Sequence, residues 1–502
     1  MDVVLQVEYR AVAPEIAVAA AVCVVLLVDL AVRRHPSSRV IAGPLSLVAT
    51  LVALVLLMAN RGHTPTATLG DMFVLDDFAV VVKVLFLAVA AFTIVVSIPP
   101  LRGHRYEGEY YVLLLSSVLG TLLMASSRDL LMLFVSLELV SAPAFVLAGL
   151  RKRNARSNEA AMKFFLIGVL SAALLVYGIS LVYGFTGSTN LEAIATALTS
   201  GLQVAGVTPE PLLLTGLVFI IAGFGFKVSA VPFHFWAPDT YEGSPVPLAA
   251  FLSVASKAAG FVGLLLILLI GFPALADSWA PIVGAIAAAT MVLGNVLALR
   301  QRHLIRLLAY SSVAHAGYML IPLAIIRPHV GAPMAGTNSA AVQSLVVYLF
   351  IYAIMNMGAF GVAIAISKQY PTLLIRDLAG LGRRAPLHAM GLALFVISLG
   401  GIPPLAGWFA KFVVFLGAVN AGSTLGVVLA AIMVVFSVVS LYYYVGVVRS
   451  LYLQPAQEEG AVSTSKTVGI AVAAMVAAVL FFGVFPEPLA SLGEAAKIAL
   501  CC

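Results

Sequence analysis

Four ionisable side chains stand where a chain this apolar should least tolerate them. Glu138 lies in LMLFVSLELVSAPAFVLAG, Lys227 in FGFKVSAV, Lys257 in FLSVASKAAGFVG and Lys411 in LAGWFAKFVVF. An ionised group at the centre of a membrane-crossing helix costs about 2.5–3.5 kcal/mol on insertion scales, so four unpaired ones oppose insertion by roughly 10–14 kcal/mol. Such groups pair with one another or face a wet interior. One acid and three bases do not balance, which favours chemistry over a set of purely structural ion pairs. The chemistry that suits them is proton transfer. Leaving water disfavours a charged ammonium and a nearby carboxylate restores it, so a Lys227 moving towards and away from Glu138 alternately holds and releases a proton.

A second tier of residues surrounds this set. His234 follows Lys227 by seven positions and suits a neutral bridge towards Lys257. His315, in AYSSVAHAGYML, suits either a continuation of the same wire or a hydrogen-bonded packing role. Lys163 stands near the basic cluster Arg151, Lys152, Arg153 and Arg156, so it either snorkels to the membrane surface or serves proton entry beside Glu138. Lys83 is open to the same snorkelling. Asp239 and Glu242, in WAPDTYEGSP, read as a loop cap or a subunit contact rather than as proton carriers, and His303, His329 and His388 fall near loops. No His/Asp/Glu spacing has a metal-site pattern, and Cys23, Cys501 and Cys502 have neither CxxC spacing nor a CaaX order.

The elements that must position these residues follow from composition. Of 502 residues 62% are hydrophobic and 10% charged, and mean hydropathy is +1.09. That leaves too little charge to cover a soluble domain of this length. Apolar runs of about 20 residues recur along the chain, each able to cross a bilayer as a helix, and the alternation of a membrane β-barrel is absent. The runs are 13–32, 40–59, 76–97, 109–126, 129–150, 159–184, 209–229, 245–270, 276–299, 302–325, 339–367, 386–418, 423–448 and 468–485. Two of them are interrupted. GFGFKVSAVPFHFWAPD and SLGGIPPLAGWFAKF put glycines, prolines and a lysine inside apolar spans, so these helices break or kink. Each is fourth in a group of five, spans 4–8 and 9–13, whose opposite starting sides make any repeat inverted.

The net charge of +6 does not indicate nucleic acid, because the basic residues are scattered over short loops. With both termini outside, most fall in alternate, cytoplasmic loops: Arg33, Arg34 and Arg39; Arg102 and Arg105; Arg151 to Arg156; Arg300, Arg302 and Arg306; Lys368, Arg376, Arg383 and Arg384; Arg449 and Lys466. The opposite side receives Arg10, Arg61, Arg128, Arg327 and Lys497. Asp2, Glu8, Arg10 and Glu15 precede the first run without a basic n-region or cleavage site, so the first helix is expected to be retained. The loops around 187–207 and 452–467 are the longest hydrophilic stretches. Neither a P-loop nor a dinucleotide fingerprint is present.

The run FGFKVSAVPFHFWAPDTYEGSPVPLAAFLSVASKAAGF closely resembles the antiporter-like subunits of respiratory complex I, and within them the subunit N branch of bacterial NADH–quinone oxidoreductase. EAAMKFFLIGVLSAALLVYGISLVYGFTGSTNL, LLAYSSVAHAGYMLIPLA and GIPPLAGWFAKFVVF extend the resemblance over roughly residues 100–450. It implies an all-α polytopic fold of about 14 helices, with inverted repeats and broken helices 7 and 12. It also implies relay roles for Glu138, Lys227, Lys257 and Lys411, with Lys163 and His234 as auxiliaries. The parallel subunit M usually carries glutamate where Lys411 stands, and subunit L continues into a long lateral helix. The resemblance places NADH, FMN, iron–sulfur clusters and quinone in other subunits and no cofactor in this chain. It implies subunit M and small membrane subunits as neighbours in a bacterial inner membrane.

The expected organisation is one membrane domain over 1–502: a three-helix segment 1–100, repeats 105–270 and 275–450, and a C-terminal helix and tail 465–502. The expected function is proton translocation coupled to electron transfer elsewhere. Three alternatives remain at this point: a subunit of a multisubunit sodium/proton antiporter or membrane-bound hydrogenase, a stand-alone secondary transporter, and a purely structural membrane subunit.

Overall fold

A helix satisfies its own backbone hydrogen bonds, which is what an apolar run needs when no water is present. The computed structural model describes residues 7–32, 41–61, 64–200, 210–327, 337–456 and 464–501. Asp2, Arg33, Arg34, Arg39, His329, Cys502, the side chain of Lys497 and parts of the 187–207 and 452–467 loops lie outside the described residues. In chain order the helices are α1 (Ala13–Val32), α2 (Ala42–Ala59), α3 (Asp77–Leu101), α4 (Glu107–Ser126), α5 (Leu130–Ala148), α6 (Ala155–Thr186) and α7 (Leu191–Thr199). Next come α8 (Glu210–Val228), α9 (Trp236–Gly243), α10 (Val246–Phe251), α11 (Lys257–Leu266), α12 (Ala276–Ala298), α13 (Leu304–Ile325) and α14 (Thr337–Ile366). The last are α15 (Leu381–Arg384), α16 (Pro386–Gly400), α17 (Ala406–Asn420), α18 (Thr424–Leu453), α19 (Lys466–Val484) and α20 (Glu487–Cys501). Among the described residues 13 helices are long and apolar enough to cross a membrane. The run 386–418 is the fourteenth span, divided at its glycines and prolines into α16 and α17. The other interrupted run divides into α8 and α9, so the broken spans are the seventh and the twelfth, as expected.

Helix ends are set by local chemistry. Asp76, Asp129 and Asn154 accept hydrogen bonds from the first free amides of α3, α5 and α6. The span Val246–Gly271 is built from α10, a π turn over Leu252–Ser256, α11 and a second π turn over Ile267–Gly271.

Two spans, Val246–Gly271 and Leu304–Ile325, are buried on nearly every side, whereas Ala155–Thr186 and Thr424–Leu453 turn much of their length outward. Tyr442 is 76% exposed and Ile470 72%, as expected of surfaces that meet lipid rather than water. At one end of the bundle stand Arg156, Arg306 and Arg449, in the end turns of α6, α13 and α18, and Arg376 in the short turn Ile375–Leu378. At the other, an antiparallel hairpin, β1 (Thr66–Thr68) and β2 (Phe73–Leu75), packs beside the α4–α5 connection through a Phe73–Ser127 bridge. We refer to the arginine end and the hairpin end.

Candidate functional site

The candidate site is a line of buried amines that crosses both halves of the chain. Lys227 sits in the last turn of α8, just before the break, and is 1% exposed. Its Nζ donates to Ser141 Oγ at 2.8 Å. Ser141 lies one helical turn beyond Glu138 on α5, so Lys227 addresses the acid's helix without touching the acid. No lysine stands within 4 Å of the Glu138 carboxylate among the described residues, although its charge acts on Lys227 through space. Glu138 is only half-buried. It shares an outward stripe of α5 with Leu131, Val135 and Val146, which are 48%, 57% and 60% exposed.

Lys257 opens α11, directly after the first π turn, and is 1% exposed. Its Nζ donates to Ser312 Oγ on α13, with the Tyr241 ring 6.0 Å away. Asn356 on α14 donates to Ser253 Oγ inside the π turn at 2.8 Å and to Tyr352 Oη at 3.1 Å. Gly260, one turn beyond Lys257, lets the two lysine helices close: a Cβ there would stand 3.1 Å from Lys227 Cβ and Cγ. This approach seats the stem of Lys227 directly against α11.

From Lys257 the polar groups continue into the second half. His315 Nδ1 is 2.7 Å from Tyr348 Oη, its Nε2 is 3.4 Å from Tyr444 Oη, and Tyr444 also bonds Ser311. The charges of both Lys257 and Lys411 reach His315. Lys411 on α17 turns back into the break, where Nζ donates to Gly400 O at 2.9 Å and lies 5.1 Å from the centre of the Tyr318 ring. Asn295 donates to Tyr318 Oη at 3.1 Å and accepts from Tyr443 Oη at 3.0 Å. Hydroxyls and imidazole both donate and accept, the property a proton path requires.

The remaining sequence candidates go elsewhere. Lys163 is 45% exposed and bonds Asp239 Oδ2 and Glu159 Oε1, both at 2.7 Å. It joins an ionic cluster at the arginine end instead of meeting Glu138. Arg306 completes that cluster at 2.6 Å from Asp239 and 2.9 Å from Glu242, tying α9 to α6 and α13. Asp239 and Glu242 are thus tied into an ionic cluster within the chain. Burial works to raise the Asp239 carboxyl, but Lys163 and Arg306 outweigh it and hold it below the usual carboxylate range. His234 makes no hydrogen bond to Lys227 or Lys257, though the charge of Lys257 reaches it. Lys83 does not snorkel: it is fully buried and ion-paired with Glu15 at 2.7 Å. Among the described residues no group of three His, Cys, Asp or Glu side chains is placed to hold a metal.

Sequence reasoning missed Ser141, Ser312 and the tyrosines Tyr318, Tyr348, Tyr352 and Tyr444. Helical spacing carried part of the signal, because Ser141 is three residues from Glu138, and Ser311, His315 and Tyr318 share a face of α13.

Comparison with known proteins gives the family of the chain. The family profile described as NADH:quinone oxidoreductase/Mrp antiporter, TM matches residues 127–439. Subunit N of NADH-quinone oxidoreductase from Brevibacillus brevis is 37% identical over 474 residues, covering 92% of this chain and 89% of that protein. Subunit N 2 from Streptomyces griseus is 41% identical over 478 residues, covering 93% and 86%. A chain of respiratory complex I from Thermus thermophilus superposes with a TM-score of 0.77 at 31% identity, covering 96% of this chain and 99% of that one. A chain of an archaeal membrane-bound sulfane sulfur reductase shares the fold, with a TM-score of 0.81 at 21% identity. With a profile match over more than half its length and relatives of this coverage, the chain belongs to the NADH:quinone oxidoreductase/Mrp antiporter family of membrane subunits and stands among its subunit N members.

Proposed function

We propose that the chain is a proton-translocating membrane subunit of a respiratory NADH–quinone oxidoreductase, without redox chemistry of its own. The observation that carries this reading is the line Lys227, Lys257, Lys411: three amines buried to 1%, 1% and 8% exposure, none in an ion pair among the described residues, with hydroxyl and imidazole groups between the last two. A structural role does not account for three unneutralised amines in one apolar layer, because each adds insertion cost without a compensating charge.

Protons enter from the arginine end, taken as cytoplasmic, near Glu138, Lys163 and Lys227. They pass by His234 to Lys257, then by Ser312, Tyr352 and His315 towards Lys411, and leave at the hairpin end. Each step breaks an N–H or O–H bond on one group and forms one on the next, so charge moves without net chemistry. The chain divides as 1–100, 105–270, 275–450 and 465–502, with both termini outside a bacterial inner membrane. Electron transfer in other subunits, which hold NADH, FMN, iron–sulfur clusters and quinone, supplies the drive by changing the charge beside Glu138. The outward position of Glu138 supports this, because a carboxylate facing hydrocarbon calls for a neighbour, and subunit M or a small membrane subunit fills that place. One charge crossing is worth about 2.3 kcal/mol per 100 mV, within the reach of such local electrostatics.

The test is the proton-to-electron ratio of the complex in proteoliposomes. Lys257→Ala is expected to lower the ratio while NADH still reduces quinone. Pumping at the parental ratio would remove Lys257 from the path. Co-purification with the soluble NADH-oxidising arm separates this reading from an antiporter or hydrogenase subunit.

A further inference from the structure

A cleft of about 860 Å³ lies away from the lysine line, at the arginine end. It is bounded by the last turns of α18, the start of α13 and the 374–376 segment. Its two walls differ in kind. Leu441, Tyr442 and Val445 form an apolar wall, and Tyr442 and Val445 are 76% and 52% exposed on the outer face of α18. The opposite wall carries Arg302 and Arg376, and Arg449 stands one turn beyond Val445 on α18, where the apolar wall ends. Arg376 reaches Asp377 at 3.5 Å, while the side chains of Arg302 and Arg449 make no hydrogen bond or ion pair among the described residues.

We propose that this cleft binds an anionic phospholipid of the leaflet that meets the arginine end, with its phosphate on Arg302 and Arg449 and its acyl chains along Leu441, Tyr442 and Val445. Guanidinium groups match phosphate oxygens with paired N–H donors, and basic pockets between membrane helices suit anionic headgroups. The division of the walls decides the class of ligand. Free phosphate has no use for an apolar wall that continues onto the outer face of α18. A docked polypeptide would need carboxylates of its own to answer two unpaired guanidinium groups. A diacyl phospholipid supplies the anion and the hydrocarbon in one molecule, in the order in which the cleft presents their counterparts. Ser450 holds the wall in shape, donating to Ile375 O at 2.7 Å across the cleft.

The experiment uses the protein as purified from its membrane with its partners, exchanged into nanodiscs of phosphatidylcholine containing a minor fraction of phosphatidylglycerol. Retained lipid is counted by native mass spectrometry and by extraction. The parental protein and the R302K/R449K variant are expected to retain one more phosphatidylglycerol per copy than R302Q/R449Q, with phosphatidylcholine unchanged. Equal phosphatidylglycerol retention in all three overturns the proposal. Should the glutamine variant fail to assemble, a photoactivatable phosphatidylglycerol on the parental protein decides. Adducts within residues 441–454 support the site; adducts confined elsewhere, or a map with polypeptide in the cleft, overturn it.

Discussion

Gly401 offers the sharpest perturbation of the second half-path, because its replacement moves Lys411 without touching a proton-carrying group. The residue is left-handed at φ +86°, and a Cβ there would lie 2.8 Å from Lys411 Cδ, against 3.4–4 Å for ordinary contact. A residue with a side chain pays about 1–2 kcal/mol for the left-handed backbone. The lysine stem must then give way, and the hydrogen bond it risks, from Nζ to Gly400 O at 2.9 Å, involves a charged donor worth about 1.5–3 kcal/mol. At one factor of ten per 1.4 kcal/mol, losing that bond lowers the ratio of in-place to displaced Lys411 by about 10- to 150-fold. Gly422 supplies the control. It is also left-handed, at φ +64°, but a Cβ there meets nothing within 4 Å. Gly422→Ala therefore carries the backbone strain alone. Both variants are reconstituted, and proton uptake is recorded by a pH-sensitive dye alongside NADH oxidation. Gly401→Ala is expected to pump at a clearly lower proton-to-electron ratio, while Gly422→Ala pumps at the parental ratio with a slightly lower melting temperature. Equal pumping by the two would show that the position of Lys411 does not matter.

Two further outcomes follow from the charged groups outside the lysine line. Glu15→Gln alone leaves the buried Lys83 without its anion and is expected to destabilise the fold by about 3–5 kcal/mol, whereas Glu15→Leu with Lys83→Met recovers most of the loss; thermal unfolding in detergent reads both. The depressed Asp239 carboxyl contributes stability that is complete above its unfolded value near 3.9 and is lost as pH falls through its lower folded value. Amide exchange in α9 should therefore stay protected from pH 8 to about 5 and rise only below the ordinary carboxylate range, with Asp239→Asn unprotected at neutral pH.

Much of this architecture is written along the chain. Lipid leaves no alternative to helix for an apolar run of 20 residues, so the spans could be read with ends good to a few positions. The glycines and prolines beside Lys227 and Lys411 marked both breaks, because a missing amide shows in the sequence itself. What stayed hidden was whatever depends on how one helix is turned against another. Lys83 and Glu15 are 68 positions apart, and only the bundling of α1 with α2 and α4 brings them together. Lys163 could be assigned from its position in the sequence to Glu138 or to the basic cluster, and the docking of α9 onto α6 gives it Asp239 instead. Ser141 and Ser312 are ordinary small residues until a lysine from another helix lands on them. The hairpin over 66–75 and the short helix α7 also escaped notice, since each is too brief to leave a periodic signature.

The segment that carries Lys257 is bracketed by π turns at both ends, Leu252–Ser256 before it and Ile267–Gly271 after it. A π turn stores one residue more than an α turn, and one residue corresponds to about 100° around a helix axis. Across the ten residues between, the face that meets α8 and α13 is therefore set by the extra residue at each end rather than by uninterrupted α-helical register. The direction in which Lys257 points, towards Ser312 on α13, thus depends on the π turn that directly precedes it.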